Sequence, residues 1–261
     1  MSNDFEAGAA PLLISVPHAG TDIPDSIANR MRAAGRALVD TDWHVDRLVE
    51  GIERAGAGVL RAGHSRYVVD LNRSPEDQPL YPGAGTGLVP VESFSGEALY
   101  QADREPDADE HRQRVERFWQ PYHDRLRSEL DATRKRHGFA VLLDVHSIAS
   151  RVPRLFEGRL PDLNLGTFDG RSADADLIER ARARLSQAEG FTTVVDGRFK
   201  GGYITRHYGQ PSQGVHALQI EIAQAAYMNE HDPQVFDPAR ARPLMAWLEQ
   251  FVASLADWRP A

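Results

Sequence analysis

The sequence contains no cysteine among its 261 residues. The chain therefore has no disulfide bond and no thiolate nucleophile. Any transition metal would have to be held by imidazole and carboxylate groups, because thiolate ligands are missing. This absence narrows the chemistry to sites built from histidine, aspartate and glutamate.

Long apolar segments are also missing. No run approaches the roughly 20 apolar residues that cross a bilayer. The first ten residues carry Asp4 and Glu6 and lack the basic and apolar regions of a signal peptide. We expect a cytoplasmic protein without a membrane partner. We also expect a single domain over residues 1–261, with residues 1–10 as a flexible tail.

Positive charge is in deficit. Lysine and arginine number 30 against 38 aspartate and glutamate residues, which gives a net charge of −8. Proteins that bind nucleic acid usually show a basic surface that displaces counterions from phosphates. The basic run Arg134-Lys135-Arg136 is too short to form one. The sequence therefore predicts no nucleic-acid partner, and it makes no prediction about oligomeric state.

Short apolar runs of strand length alternate with segments whose apolar residues recur at helical spacing. The predicted strands lie at 12–17, 58–62, 66–71, 139–145, 191–195 and 216–222. The predicted helices lie at 43–55, in a stretch ending near 136 that Pro121 should interrupt, at 174–188, and at the carboxyl end. This order predicts an α/β fold, in which one domain has a mainly parallel, mixed sheet flanked by helices.

Two of these predicted strands lead into a histidine. The run that begins at Leu12 ends at His18, and the run that begins at Val141 ends at His146. A single histidine in such a place would be expected only to bond to neighbouring backbone. Because the carboxyl ends of parallel strands form the rim where ligands bind, two imidazoles at equivalent strand ends favour a shared metal ion.

The segment 40–46 offers a third ligand at the start of a predicted helix. We predict Asp46, which begins the helical pattern, with Asp42 and His44 as alternatives. Asp40 or Asp42 would instead cap the amino end of the helix. Catalytic zinc takes three protein ligands and keeps one position open. The predicted cofactor is therefore Zn²⁺, with other divalent metals as alternatives.

Further residues indicate an anionic substrate and a proton carrier. Arg66, Asn72 and Arg73 lie where a predicted strand passes into a loop. Guanidinium and amide groups bind carboxylates through charge-assisted hydrogen bonds, although Arg73 could instead pair with a surface carboxylate. Glu221 stands in an apolar run, where a buried carboxylate needs a partner. We predict Glu221 as the general base, with a structural ion pair as the alternative.

Several motifs, taken in order along the chain, resemble those of the N-formylglutamate amidohydrolases. This family comprises the formylglutamate deformylase of histidine breakdown and is distantly similar to zinc carboxypeptidases and aspartoacylase. The motifs span residues 12–228 and are Ser15-Val16-Pro17-His18-Ala19-Gly20, Asp42-Trp43-His44-Val45-Asp46-Arg47-Leu48, Ser65 to Pro75, Leu143-Asp144-Val145-His146-Ser147, Gly197-Arg198-Phe199-Lys200-Gly201-Gly202-Tyr203, and Gln219-Ile220-Glu221 followed by Tyr227-Met228.

The resemblance implies a fold and a reaction. The architecture would be that of the zinc exopeptidases, also called phosphorylase/hydrolase-like, and the reaction would be hydrolysis of N-formyl-L-glutamate to formate and L-glutamate. A zinc-activated water would attack, Glu221 would carry the proton, and Arg66 would stabilise the oxyanion. Carboxypeptidase-type relatives carry a glutamate three residues after the first histidine, where this chain has Thr21. Asp46 is therefore predicted independently of the resemblance.

The resemblance also assigns groups to the substrate, a small anionic N-acyl amino acid. By the resemblance, Asn72 and Arg73 would hold one carboxylate. As a separate hypothesis we expect Arg206 to meet the other, with Arg151 and Arg154 as alternatives. Two other functions stay open. One is a zinc amidohydrolase or exopeptidase for another N-acyl amino acid, and the other is a noncatalytic protein that binds acidic amino acids.

Overall fold

A mixed β-sheet forms the centre of the molecule. The computed structural model describes residues 3–78 and 86–260. The strands in these ranges are β1 (Asp4–Glu6), β2 (Leu12–Val16), β3 (Gly58–Arg61), β4 (Ala140–Ile148), β5 (Leu163–Gly166), β6 (Thr193–Val195) and β7 (Val215–Ala223). Within the described residues they form one seven-stranded sheet in the order β1-β3-β2-β4-β7-β5-β6.

The middle of the sheet is parallel. Strands β3, β2, β4 and β7 run in one direction, whereas β5 is antiparallel to β7 and β1 is antiparallel to β3. The long pair β4 and β7 matches residue for residue and is almost entirely buried, as parallel strands covered by helices should be. The predicted single-domain α/β fold with a mainly parallel, mixed sheet is confirmed.

Helices cover both faces of this sheet. They are α1 (Asp25–Ala28), α2 (Ala33–Ala37), α3 (Val45–Leu48), α4 (Ala108–Arg114), α5 (Gln120–His137), α6 (Ala175–Leu185), α7 (Tyr203–Tyr208) and α8 (Pro238–Ala256), with 3₁₀ turns at Ile52–Ala55, Pro211–Gln213 and Gln224–Ala226. Helices α3, α6 and α8 pack on one face, and α5 and α7 pack on the other. None of the helices in the described part of the chain is long and apolar enough to cross a membrane.

Alternation along β4 distributes its side chains between these two layers. Leu143 and Val145 belong to the core beneath α8, whereas Leu142 belongs to the core beneath α5. Successive side chains of a strand point to opposite faces. Asp144 and His146 therefore continue the row that faces α5, toward the carboxyl end of the strand.

The segment 66–71 is a loop of turns rather than the predicted strand. Two buried valines of this segment pack in different core clusters, Val68 in one and Val69 in the other. Their side chains therefore alternate as they would in a strand, although the backbone forms no strand pairing. Arg66 and Asp70 form a buried ion pair of 2.8 Å inside the same segment. The prediction of a strand here is wrong, because the burial comes from packing between layers.

Two predicted helices are interrupted. The helix predicted at 43–55 stops after α3, and Gly51 separates it from the 3₁₀ turn with a φ of +88°. That φ is accessible to glycine but lies outside the α-helical range. The next helix contains a π-helical turn at Val115–Trp119 just before Pro121, which confirms the predicted interruption because proline cannot donate to the helical ladder.

The amino-terminal residues differ from the expected flexible tail. Asp4–Glu6 pairs with β3 at the edge of the sheet, and Arg61 forms an ion pair of 2.8 Å with Glu6. The guanidinium of Arg125 lies 4.2 Å from the centre of the Phe5 ring. These contacts come from residues far along the chain, so the local composition did not reveal them.

His123 on α5 is a buried histidine with a structural role. Its Nδ1 lies 3.0 Å from the Tyr208 hydroxyl and its Nε2 lies 2.9 Å from the Leu71 carbonyl, while the ring stacks on Trp119 at 3.7 Å. Burial lowers the pKa of His123 to about 3. Below pH 6.5 the unfolded chain therefore binds a proton that the folded chain excludes, and the free energy of unfolding falls as the pH falls.

We expect His123→Gln to reduce this acid sensitivity. Between pH 7 and pH 5 the histidine should account for a loss of about 2 kcal/mol in the free energy of unfolding. Urea unfolding at each pH measures the loss, which should be smaller in the variant by that amount. His231→Gln replaces an exposed histidine and serves as the control. If the free energy of unfolding depends on pH equally in His123→Gln and the unaltered chain, His123 is not the source of the acid sensitivity.

Candidate metal centre and active site

The two histidines predicted at strand ends lie together. His18 follows β2, His146 lies near the end of the adjacent β4, and their ring centres are 4.9 Å apart. Asp42 completes a buried cluster in which one ligand atom from each residue lies within 4.8 Å of the others. The parallel pairing of β2 with β4 is what brings the two imidazoles to one place.

Each imidazole is oriented by a carboxylate that contacts its Nε2 atom. His18 Nε2 lies 2.8 Å from Asp70 Oδ1. His146 Nε2 lies 2.7 Å from Asp144 Oδ2. The opposite ring atoms face Asp42, whose Oδ2 is 3.8 Å from His18 Nδ1 and 3.1 Å from His146 Nδ1. Carboxylate–histidine pairs of this kind orient the histidine ligands of metal ions.

One nitrogen of the cluster has no hydrogen-bond partner among the described residues. His18 Nδ1 is buried, and its 3.8 Å separation from Asp42 is too long for a hydrogen bond. An unsatisfied buried polar group costs about 1–3 kcal/mol, and coordination to a cation would remove that cost. Two imidazoles and one carboxylate are also a ligand set that catalytic zinc uses. The residues present therefore fit a divalent metal.

The neighbouring charges shift the pKa values of the cluster. Burial raises the pKa of Asp42, but the hydrogen bond from His146 and the charge of His18 outweigh it and lower the pKa overall. Burial lowers the pKa of His146, yet Asp144 and Asp42 hold it well above its usual range. Asp42 therefore stays ionised, as a metal ligand must, and a cation at His146 would displace a proton.

The cluster contains Asp42, which was an alternative prediction for the third ligand, and Asp46 lies outside it. The Asp42 backbone N–H donates to the His18 carbonyl at 3.1 Å, which ties Asp42 to the end of β2. The chain then turns at His44, whose φ is +63°, and Asp46 follows in the first turn of α3, partly exposed. The alternative ligand His44 bonds to the Pro233 carbonyl at 2.9 Å.

Glu221 lies beside the cluster on β7. It stands opposite His146 in the parallel register, and Gln219 donates from Nε2 to Glu221 Oε2 at 3.1 Å. Burial raises the pKa of Glu221 to about 8. The alternative interpretation, an ion pair with an arginine, is not seen in the described part of the chain. Glu221 is therefore a buried carboxyl group with a raised pKa, and it lies next to the candidate metal ligands.

A cavity of about 320 Å³ opens over these groups. Its lining includes His18, Asp42, Arg66, Asn72, Arg73, Phe94, His146, Arg198, Gln219 and Glu221. The cavity thus joins a candidate metal centre, a buried carboxyl group and three guanidinium groups within a volume suited to a small anion.

Arg66 is held rigidly at the floor of this cavity. Its Nη atoms bind Asp42 Oδ1 at 3.2 Å and Asp70 Oδ2 at 2.8 Å, and its guanidinium carbon lies 4.7 Å from the centre of the Phe94 ring. Its Nε–H is buried without a partner among the described residues. Arg66 therefore offers one unused donor at a fixed position.

Asn72 and Arg73 both line the cavity but differ in their freedom. The Asn72 amide donates to Asp144 Oδ2 at 3.3 Å, and its oxygen accepts from the Ile204 backbone at 2.8 Å. Its polar atoms are thus engaged within the protein. The Arg73 Nε donates to the Thr86 carbonyl at 3.0 Å, which positions its guanidinium at the cavity wall.

The other predicted arginines lie elsewhere. Arg206 stacks over Phe168 at 4.8 Å, and Arg154 is exposed in an ion pair; neither lines this cavity. Arg198 does line it, and the sequence reasoning assigned it no role. The sequence signal for Arg198 is the motif Gly197-Arg198-Phe199-Lys200-Gly201-Gly202-Tyr203, which contributes to the resemblance.

Comparisons with known proteins agree with this geometry. A family profile described as N-formylglutamate amidohydrolase matches residues 10–228. Proteins named N-formylglutamate deformylase from Pseudomonas putida and Pseudomonas aeruginosa are 46% and 47% identical over 254 residues, covering 97% of this chain and 95% and 96% of theirs. The crystal structure of N-formylglutamate amidohydrolase from Ralstonia eutropha JMP134 is 27% identical, with a TM-score of 0.84 over 98% of this chain and 97% of that one.

Proposed function

The chain belongs to the N-formylglutamate amidohydrolase family, and from this premise we propose that it hydrolyses N-formyl-L-glutamate to formate and L-glutamate. The observation that carries the proposal is the buried cluster of His18, Asp42 and His146. It lies beside Glu221 in a cavity whose wall also presents guanidinium groups. These are the parts that hydrolysis of an amide in a dianionic substrate requires.

We propose His18, Asp42 and His146 as the residues that would hold a divalent metal, with zinc favoured by the donor set. A cation bound there polarises a carbonyl group and lowers the pKa of water. Asp70 and Asp144 contribute by keeping the Nδ1 atoms of the two imidazoles turned toward Asp42. A rigid donor set of this kind needs little reorganisation during binding.

Glu221 would move the proton. Burial raises its pKa to about 8 in the absence of a metal, and a cation held by the neighbouring cluster would lower that pKa, so that the ionised carboxylate could accept a proton and later return it. Gln219 holds Oε2 and thereby orients the carboxyl group. Glu221 would accept the proton of the attacking water and deliver it to the departing glutamate nitrogen.

The arginines would divide two tasks. Arg73 and Arg198 line the cavity and would bind the substrate carboxylates through charge-assisted hydrogen bonds. Arg66, with a buried and unused Nε–H, would donate to the oxygen that becomes negative in the transition state. Asn72 would act indirectly, since its amide already orients Asp144.

Formate release from N-formyl-L-glutamate tests the proposal. The purified chain should release formate, and dialysis against a chelator should reduce turnover by ~100-fold or more, with recovery after zinc is added back. N-formyl-L-alanine, which lacks the second carboxylate, is the control substrate and should be hydrolysed poorly.

Three results would count against parts of this proposal. Turnover that survives removal of the metal, verified by metal analysis, would exclude the metal-dependent mechanism. A metal-loaded chain that binds glutamate but releases no formate would favour a noncatalytic binding protein. Faster hydrolysis of another N-acyl amino acid would support a different amidohydrolase specificity.

A further inference from the structure

A second cavity adjoins the active-site cavity. It measures about 550 Å³, and its lining combines apolar residues such as Val152 and Pro153 with charged ones, namely Asp40, Arg151 and Arg154. Phe94 and Ile148 line both cavities and so form the wall between them. They belong to a small buried cluster with Val152, Leu160 and Ala223.

This wall stands beside the candidate metal ligands. Ile148 follows His146 by two residues on β4, so the two side chains share one face of the sheet about 7 Å apart. The Phe94 ring lies 4.7 Å from the guanidinium carbon of Arg66, which in turn binds Asp42. The Phe94 backbone N–H donates to Asp40 Oδ2 at 2.8 Å, and this hydrogen bond holds the backbone of Phe94 in place.

The wall is therefore placed where the acyl part of a substrate would lie. The scissile carbonyl must reach Glu221 and the candidate metal ligands, while the substrate carboxylates extend to Arg73 and Arg198. In this proposed orientation the third substituent of the carbonyl carbon, which is hydrogen in a formyl group, would point toward Phe94, which lines the same cavity. A larger acyl group would meet the aromatic ring at this point.

We propose that Phe94, supported by Ile148, limits the acyl group to formyl by closing off the second cavity. The inference rests on the proposed function and deepens it, because it assigns acyl-size selection to a residue that performs no chemistry. Shortening Phe94 should connect the two cavities and provide space for an unbranched acyl chain beside the apolar side chains of Ile148, Val152 and Pro153. Burial of added methylene groups in such space is favourable.

The test compares kcat/KM for N-formyl-, N-acetyl- and N-butyryl-L-glutamate in Phe94→Leu and Phe94→Ala. The ratio of kcat/KM for the butyryl substrate to kcat/KM for the formyl substrate should rise at least ~10-fold in Phe94→Ala. It should rise by a smaller factor in Phe94→Leu. Leu160→Ala is the matched control, because Leu160 packs in the same cluster but lines neither cavity. Its ratio should stay within about twofold of the unaltered chain.

The outcome separates this inference from the proposed function. Formate release by the unaltered chain tests the function alone. If none occurs, calorimetry with N-butyryl-L-glutamate tests the wall, and affinity relative to the formyl compound should rise ~10-fold in Phe94→Ala. An unchanged ratio in folded Phe94→Leu and Phe94→Ala overturns the inference, as does an equal rise in Leu160→Ala. If Phe94→Ala does not fold, an unchanged ratio in Phe94→Leu is sufficient to overturn it.

Discussion

Glu221→Gln is expected to lower kcat for N-formyl-L-glutamate by ~10²–10⁴-fold, the usual scale for loss of a positioned proton carrier. Glutamine keeps the shape of the side chain and its contact with Gln219 but cannot accept a proton from water. Because Glu221 is not in the cluster of candidate ligands, zinc content should stay unchanged. Steady-state kinetics together with metal analysis of the same preparation check both parts.

Glu230→Gln provides the control for loss of a nearby carboxylate. Glu230 binds the backbone N–H and the hydroxyl of Ser150, and it does not line the active-site cavity. Its kcat should change far less than that of Glu221→Gln. If Glu221→Gln retains full turnover, Glu221 is not the general base. If it loses its zinc, the residue acts as a ligand instead.

Asp42→Asn is expected to lower zinc affinity by more than the ~10–100-fold typical of residues that only support a ligand. The substitution removes the negative charge of the carboxylate whose Oδ2 lies 3.1 Å from His146 Nδ1, and a neutral amide oxygen is a weaker metal ligand. The amide oxygen of asparagine can take the place of Oδ2 and still accept from the Ser147 backbone N–H, as Asp42 Oδ2 does at 3.0 Å. Competition with a chromophoric chelator measures the affinity without reference to catalysis.

Asp46→Asn is the matched variant, with the same chemical change four residues along the chain. It should bind zinc as the unaltered chain does, because Asp46 is partly exposed on α3 and outside the cluster. Equal affinities in Asp42→Asn and Asp46→Asn, or a loss confined to Asp46→Asn, would reinstate the original choice of ligand.

The strands were predictable from the sequence where a continuous stretch of residues is buried. Strands β4 and β7 are covered on both faces, so their apolar runs are long and unambiguous. The prediction failed at 66–71, where buried residues belong to a loop between two cores. It also missed β1, whose pairing with β3 depends on residues more than fifty positions away. Hydrophobic periodicity reports burial, and burial alone does not specify backbone pairing.

The residues of the candidate site were likewise predictable on strands and not predictable on loops. His18, His146 and Glu221 were chosen from the ends and interiors of predicted strands, and the parallel register places them together. Arg206 and Arg154 were chosen from loops, and neither is among the residues that line the cavity. An arginine side chain is long, and its guanidinium position follows from loop geometry that sequence spacing does not encode.

The sequence by itself determined which kinds of side chain are available to a site in this protein. Without cysteine, and with histidines at two strand ends and a carboxylate inside a third strand, it specified an α/β fold and a candidate site of imidazole and carboxylate groups. Only the tertiary structure decided which groups meet. Asp42 joins the cluster because the chain turns at His44 and a backbone hydrogen bond ties it to β2. Phe94 joins the wall through packing on Arg66. Such contacts arise between distant segments, and their free energy depends on a geometry that exists only after folding.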